Sequence, residues 1–211
     1  MPYGLAIHTS SPDLGLAISN FERDRRSQTW DLGRELSSQL HLRLMDFLAP
    51  QTWMDLDFLA VAQGPGGFTG TRVGVVTART LAQHLDLPLF AVSSLAAVAW
   101  MERSRLLKEM PDPPDIAVEM RAQRGELFVA IYSAAKENEW VPLLPDSVMT
   151  GDRWQQILEN WQTPYHRIQA EGNLGHSTPA LLELAFFEWQ QGVRPHWSTV
   201  LPFYGQSCVP D

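Results

Sequence analysis

The sequence predicts an α/β protein with two lobes of similar design, each a mixed sheet with helices on its faces. Three observations support this prediction. The length of 211 residues suits one large domain or two small ones. A series of three strands, a helix, a strand and a helix can be traced twice along the chain. Between the two series lies segment 108–115 (KEMPDPPD), whose three prolines favour neither a helix nor a strand.

The first lobe, residues 1–107, begins with two apolar segments joined by turn-forming residues, which is the pattern of a hairpin. A polar stretch after them is expected to be an edge strand. Leucines at spacings of three and four then predict a helix capped by Asp31 and ended by Pro50. The predicted strands are Tyr3 to His8, Leu14 to Ser19, Arg23 to Trp30, Phe58 to Ala62 and Leu89 to Val92, and the helices are Leu36 to Leu48, Thr71 to Leu85 and Ser94 to Leu107.

The second lobe, residues 116–211, repeats this order after the linker. Thr150 or Asp152 is expected to cap its first helix, and Thr178 followed by Pro179 to open its second. Two such units in tandem are typical of an actin-like or sugar-kinase-like duplication, and the alternative is a single α/β sheet with irregular additions. The predicted strands are Ile116 to Met120, Glu126 to Ser133, Trp140 to Leu144 and His166 to Ala170, and the helices are Gly151 to Trp161 and Thr178 to Gln191.

Charge and cysteine content restrict the classes of function. The 24 acidic and 16 basic residues give a net charge of −8, so no overall field attracts nucleic acid, and a partner is expected to supply most of any RNA-binding surface. The single cysteine, Cys208, excludes an internal disulfide and a cysteine-based zinc site, which suits the cytoplasm. The longest uncharged apolar run, 87–101, is shorter than the ~20 residues of a membrane-spanning helix, so no membrane association is expected.

A glycine-rich loop, residues 63–74 (QGPGGFTGTRVG), leaves an apolar strand and enters a helix. Glycines allow close backbone approach, and free N–H groups at the start of a helix attract anions. The loop lacks the lysine of a Walker A motif and matches a dinucleotide-binding loop poorly. A phosphate site and a tight structural turn therefore both remain open. The candidate phosphate-loop residues are Thr9, Ser10, Gly66, Gly67 and Thr69.

Other catalytic chemistry has little support. The six histidines are scattered, with no pair at the i, i+4 spacing of a helical metal site, and no serine stands in a nucleophile-elbow motif. In an actin-like enzyme an aspartate at the end of the first strand positions magnesium, whereas this chain has His8, and an imidazole does not replace a hard oxygen ligand. We expect no catalytic residue, no metal and no cofactor in the chain alone.

Two first-lobe helices have apolar residues on more than one side, including Leu42 and Met45, which lie off the main stripe of the first helix. Such a helix is either deeply buried or shared between its own sheet and another subunit. If it is shared, the predicted partner-interface residues are Leu36, Leu40, Leu44, Phe47, Val75, Ala78, Ala82 and Leu85.

Five segments together resemble the TsaB (YeaZ) family: LAIHTS at 5–10, GPGGFTGTRVG at 64–74, AVSSL at 91–95, RAQRGELF at 121–128 and PFY at 202–204. The resemblance spans most of the chain; the glycine-rich loop is its specific part, and the second half is weaker. It implies a two-lobed actin-like (ASKHA) fold, an RNase H-like duplication. It also implies a role in making threonylcarbamoyladenosine beside the anticodon of tRNA.

The resemblance implies a non-catalytic partner of the catalytic paralogue TsaD, acting with the ATPase TsaE. The first-lobe helices would bind TsaD and would also form a homodimer in isolation, with tRNA held mainly by the partner. The chain departs from the family pattern at His8 and Arg121, where aspartates are usual, and at Tyr204-Gly205-Gln206, where tyrosine-leucine-arginine is usual. The alternative functions are a stand-alone actin-fold ATPase or kinase and, with no nucleophile–base pair to support it, a glycoprotease-like peptidase.

Overall fold

A computed structural model describes residues 2–134 and 140–205 and contains two mixed β-sheets. In the first sheet β1 (Gly4–His8) is antiparallel to β2 (Asp13–Ser19), its partner in a hairpin, and parallel to β4 (Phe58–Gly64), which follows a helical crossover. Its spatial order is β3-β2-β1-β4-β5. The strands are β1 (Gly4–His8), β2 (Asp13–Ser19), β3 (Arg25–Asp31), β4 (Phe58–Gly64) and β5 (Leu89–Ser93).

The second sheet repeats the same design with four strands in the order β8-β7-β6-β9. A hairpin again supplies antiparallel neighbours, and the last strand pairs in parallel with the first of its set. The strands are β6 (Asp115–Arg121), β7 (Glu126–Tyr132), β8 (Pro142–Thr150) and β9 (Tyr165–Gln169).

The helices and sheets stack in five layers. Leu5 and Ile7 of β1 point to the outer face of the first sheet, which is covered by α1 (Leu36–Leu48) and α2 (Phe68–Leu85). Ala6 points to a middle layer that consists of α3 (Ser94–Glu109) and α5 (Thr178–Gln190). The other face of this layer meets the second sheet, and Trp154 of α4 covers that sheet from outside. The helices are α1 (Leu36–Leu48), α2 (Phe68–Leu85), α3 (Ser94–Glu109), α4 (Gly151–Glu159) and α5 (Thr178–Gln190).

The predicted fold class is confirmed, and the single-sheet alternative is wrong because two sheets are present. Run 87–101 is divided between β5 and α3, and no helix in the described residues is long and apolar enough to cross a membrane. Helix α3 continues to Glu109, two residues into the predicted linker. The lobe boundaries themselves stay a prediction, and Cys208 lies outside the described residues.

Several local predictions were wrong. Asp31 does not cap α1, because it is the last residue of β3 and pairs with Asp13; Glu35 occupies the cap position without a side-chain bond. Thr178 is the first residue of α5 rather than its cap. Strand β8 extends to Thr150, well beyond the predicted end, because it pairs along nearly all of β7. The predicted Thr150 cap of α4 is confirmed, since its side chain accepts a hydrogen bond from the Arg153 N–H.

Candidate functional site

A cleft of about 740 Å³ opens between the two sheets. The turn after β1 and the glycine-rich loop before α2 form one wall, and the turn between β6 and β7, with residues 169–174, forms the other. A crevice at the carboxyl ends of strands is the usual place for ligands in α/β folds, so the predicted phosphate-loop residues are best assessed here.

The glycine-rich loop packs directly against the end of β1. The Gly67 N–H donates a hydrogen bond to the Ser10 carbonyl at 2.7 Å, and the Thr9 hydroxyl donates to the Gly70 carbonyl at 2.8 Å. A Cβ atom added to Gly66 would collide with Ser10, and one added to Gly74 would collide with the Thr9 hydroxyl. These glycines therefore serve close packing, as the structural-turn interpretation of the loop requires.

The structure brings only some of the five phosphate-loop candidates together. Ser10, Gly66 and Gly67 line the cleft, whereas Thr9 is fully buried with its hydroxyl already bonded, and Thr69 is exposed outside the lining. The Ser10 hydroxyl is buried and has no hydrogen-bond partner among the described residues. Phosphate binding thus remains a prediction that depends on Ser10 and the backbone of the loop.

His8 closes the end of β1 and is fully buried. Its Nδ1 accepts a long hydrogen bond (3.4 Å) from the Ser10 N–H, and its Nε2 has no partner in the described part of the chain. Burial lowers the pKa of His8 from 6.5 to about 4, only partly offset by the nearby Asp13. The imidazole is therefore neutral at pH 7 and brings no negative charge to this end of the cleft.

The carboxylate of Asp13, the first residue of β2, is used within the protein. It is 1% exposed, accepts a hydrogen bond from the Gly175 N–H at 2.8 Å and also accepts one from the Ser11 hydroxyl. Ser11 in turn accepts a hydrogen bond from the Leu174 N–H at 2.9 Å. These bonds tie the turn after β1 to the segment before α5, so Asp13 is not free to hold a cation in the cleft.

The opposite wall carries charges of both signs. Arg121 is exposed at the end of β6, with Glu126 and Glu171 on the same wall. Apolar side chains such as Phe128 and Val148 separate these charges. No group of three or more histidine, cysteine, aspartate or glutamate side chains within residues 2–134 and 140–205 is placed to hold a metal ion.

The predicted partner-interface residues need correction. Seven of the eight are buried against the first sheet, and Leu85 is half-buried, so these side chains pack the core instead of facing another molecule. The reason is that the main apolar stripe of each helix covers its own sheet. The outward faces carry different apolar side chains: Leu42 (59% exposed) and Met45 (66%) on α1, and Val76 (53%) on α2.

Sequence reasoning missed a segment that crosses the cleft, residues 200–205, which we call the strap. The Phe203 N–H donates a hydrogen bond to the carbonyl of Gln63 at the end of β4, at 2.6 Å. The Tyr204 ring lies 4.6 Å from the ring of Phe68, and a Cβ atom on Gly205 would collide with Phe128 of the second sheet. The strap includes the PFY segment at 202–204 on which the resemblance partly rests, but it has no helical or strand periodicity, so no sequence pattern indicated that it crosses the cleft.

Comparisons with known proteins agree with this architecture. Residues 43–172 match the family described as TsaD, tRNA N6-adenosine threonylcarbamoyltransferase. The tRNA threonylcarbamoyladenosine biosynthesis protein TsaB of Bacillus subtilis (strain 168) is 34% identical over 76% of this chain and 67% of its own length. TsaB of Escherichia coli (strain K12) is 28% identical over 61% and 55%, respectively. The structure of YeaZ from Pseudomonas aeruginosa has a TM-score of 0.78 at 24% identity, covering 97% of this chain and all of that one, which supports the fold.

Proposed function

Because the chain belongs to the TsaB family of tRNA threonylcarbamoyladenosine biosynthesis proteins, we propose that it acts in this modification as a non-catalytic subunit. In this proposal it binds and activates a TsaD-like catalytic paralogue in the cytoplasm, together with a TsaE-like ATPase. Its own contribution is a docking surface, and the transfer of the threonylcarbamoyl group to adenosine occurs on the paralogue.

The observation that carries the proposal is the apolar character of the outward faces of α1 and α2. Leu42, Met45 and Val76 are each more than half exposed, although other side chains of α1 and α2 already cover the apolar residues of the sheet below. Exposed apolar side chains on neighbouring helices favour a protein partner that removes them from water. A bundle made with two helices of a related subunit would bury all three side chains.

The residues at the cleft support a non-catalytic role for this chain. The neutral His8 and the internally bonded Asp13 leave the turn after β1 without a free carboxylate for magnesium. The net charge of −8 favours a paralogue, rather than this chain, as the main contact for the tRNA backbone. In the absence of the paralogue, the same outward faces of α1 and α2 would pair two copies of the chain.

The test is to place charges on the proposed docking surface. We expect Leu42→Glu combined with Met45→Glu to weaken binding to the purified TsaD-like paralogue by about a hundredfold, because the carboxylates would be buried without partners. Light scattering coupled to size-exclusion chromatography measures the complex, and a reconstituted assay measures tRNA modification. Leu143→Glu is the matched control, because it charges an exposed leucine on β8, far from α1 in the fold.

Two results would contradict the proposal. The first is full complex formation and full tRNA modification by the Leu42→Glu, Met45→Glu variant with an unchanged circular dichroism spectrum. The second is turnover of ATP, or modification of tRNA, by this chain when the paralogue is absent.

A further inference from the structure

The ends of the two sheets are protected to different degrees. Natural proteins block exposed edge strands with prolines, bulges, short length or a covering segment. The outer edge of β5 is covered at Leu89, whose N–H donates to the Pro195 carbonyl at 3.1 Å. Strand β8 contains Pro142 and Pro145 and pairs with β7 through register shifts, and β9 has only five residues.

Strand β3 has none of these protections. All seven of its residues pair regularly with β2, it contains no proline, and no segment in the described residues pairs with its outer edge. Five of the seven residues are exposed. The row of unpaired backbone N–H and C=O groups along this edge is therefore a template for one more strand.

Two side chains of β3 are already held in place. The Arg26 guanidinium donates hydrogen bonds to the Phe47 and Leu48 carbonyls at 3.3 and 2.8 Å. Trp30 packs edge-on against Phe47, with ring centroids 6.2 Å apart. Because Arg26 and Trp30 are ordered before any partner arrives, these two side chains lose little entropy when a strand adds to this edge.

The charges of β3 complement a second copy of the same strand. In an antiparallel pairing centred on Gln28, Arg25 of one copy lies opposite Asp31 of the other, and this pair occurs twice. Arg25 keeps free donors for it, because its side chain is 62% exposed and its recorded bond is to Glu183 at 2.5 Å. Asp31 has no ion-pair partner among the described residues, so its carboxylate is available.

Symmetry leaves this register as the favourable one. A two-fold axis that joins the two sheets into one makes each face of the first sheet continue as the same face of the second. Directly opposite residues then point to the same face, which requires the pairing to be centred on a residue and not between two residues. Among such pairings within β3, only the one centred on Gln28 places Arg25 opposite a carboxylate. Centring on Arg25 or Arg26 places like charges opposite each other, which is destabilising.

We propose that β3 is a pairing edge for β3 of a second copy of this chain, so that two five-stranded sheets join into one of ten strands. The contact uses the strand edge of the first sheet and not the outward faces of α1 and α2. The inference is therefore independent of the proposed function.

The test uses charge reversal in a background that removes the helix surface, Leu42→Glu with Met45→Glu. Sedimentation equilibrium of this background chain is expected to show a concentration-dependent dimer that weakens as salt is added. Adding Asp31→Arg, or separately Arg25→Asp, is expected to weaken self-association by about tenfold or more, because like charges then face each other twice. A one-to-one mixture of the two variants restores two opposite-charge pairs and is expected to recover the dimer.

The proposal is overturned if the background chain stays monomeric at all concentrations, if Asp31→Arg leaves its self-association unchanged, or if the mixture fails to recover a dimer. Circular dichroism and thermal unfolding establish that each variant is folded. Thr199→Arg is the matched control, because it adds an exposed positive charge away from β3 and is expected to leave self-association unchanged. Loss of paralogue binding by the background chain tests only the helix surface, so the two proposals fail separately.

Discussion

At the residue scale, the position of His8 is where sequence and structure give the most specific information. The sequence has an imidazole where an actin-like enzyme has a carboxylate, and from this we expected no metal site. The structure adds that the ring is fully buried and that its Nε2 has no partner in residues 2–134 and 140–205. Burial could not be predicted from the residue type, because it depends on how the turn after β1 packs against the loop before α2.

The buried His8 should make the stability of the protein depend on pH. Its pKa is about 4 in the folded chain and 6.5 when unfolded, so the unfolded state takes up the proton first as the pH falls. Above pH 6.5 the ring is neutral in both the folded and the unfolded state, so its burial does not make the unfolding free energy depend on pH. As the pH falls from 6.5 toward 4, the unfolding free energy decreases. The total loss is roughly 3 kcal/mol, from about 1.4 kcal/mol for each pKa unit.

The variant His8→Asn keeps a short polar side chain but does not titrate. When the pH falls from 7 to 4, we expect the unfolding free energy of the variant to rise by roughly 3 kcal/mol relative to that of the original chain. Urea unfolding at several pH values measures this difference. His41→Asn, which changes an exposed histidine, is the control for the substitution itself. A constant difference for His8→Asn would show that the pKa of His8 is not depressed.

At the element scale, the periodicity of apolar residues predicted where the helices lie in the sequence but not which of their faces are covered by other elements. Leucines at spacings of three and four placed α1 at its observed bounds, because a helix that covers a sheet needs one continuous apolar stripe. The same spacing could not say which apolar residues face the sheet and which face solvent. The stripes that include Leu40 on α1 and Val75 on α2 are buried in the core, whereas Leu42 and Met45, which lie off the main stripe of α1, are exposed.

Gly74 of α2 makes a close contact that helix propensity does not take into account. Gly74 lies in the middle of an 18-residue helix, where alanine is normally more stable by about 1 kcal/mol. A Cβ atom at this position would collide with the Thr9 hydroxyl of the neighbouring turn. We therefore expect Gly74→Ala to lower the unfolding free energy by about 1–3 kcal/mol, because overpacking outweighs the gain in propensity.

Thermal and urea unfolding test this expectation. Gly151→Ala on α4 is the control, because a Cβ atom there would meet open space, and it should be neutral or stabilising. Combining Gly74→Ala with Thr9→Ala should cost less than the sum of the two single changes, since the second removes the colliding hydroxyl. Strict additivity would mean that α2 does not approach β1 as closely as described.

At the scale of the whole molecule, the duplicated order of strands and helices was sufficient to predict two sheets. The contacts that hold the sheets together were not predictable, because they join residues far apart in sequence. Ser11 and Leu174 are separated by 163 positions, and Phe203 reaches back to Gln63. Local patterns carry information about periodicity over a few turns, whereas such contacts depend on how complete layers pack. The cleft and its strap could therefore be found only in the structure.

The contacts of the strap lead to a prediction about how the two sheets are held together. Gly205 has a positive φ of 69°, and a Cβ atom there would collide with Phe128 and Val148 of the second sheet. We expect Gly205→Ala to detach the strap, lower the melting temperature by a few degrees and speed amide hydrogen exchange at Phe203, whose N–H bonds to Gln63. Gly125→Ala separates backbone strain from steric collision, because the φ of 78° at Gly125 is equally unfavourable for alanine but a Cβ atom there would meet no neighbour. If Gly205→Ala protects the Phe203 amide as well as the original chain does, the strap does not join the sheets.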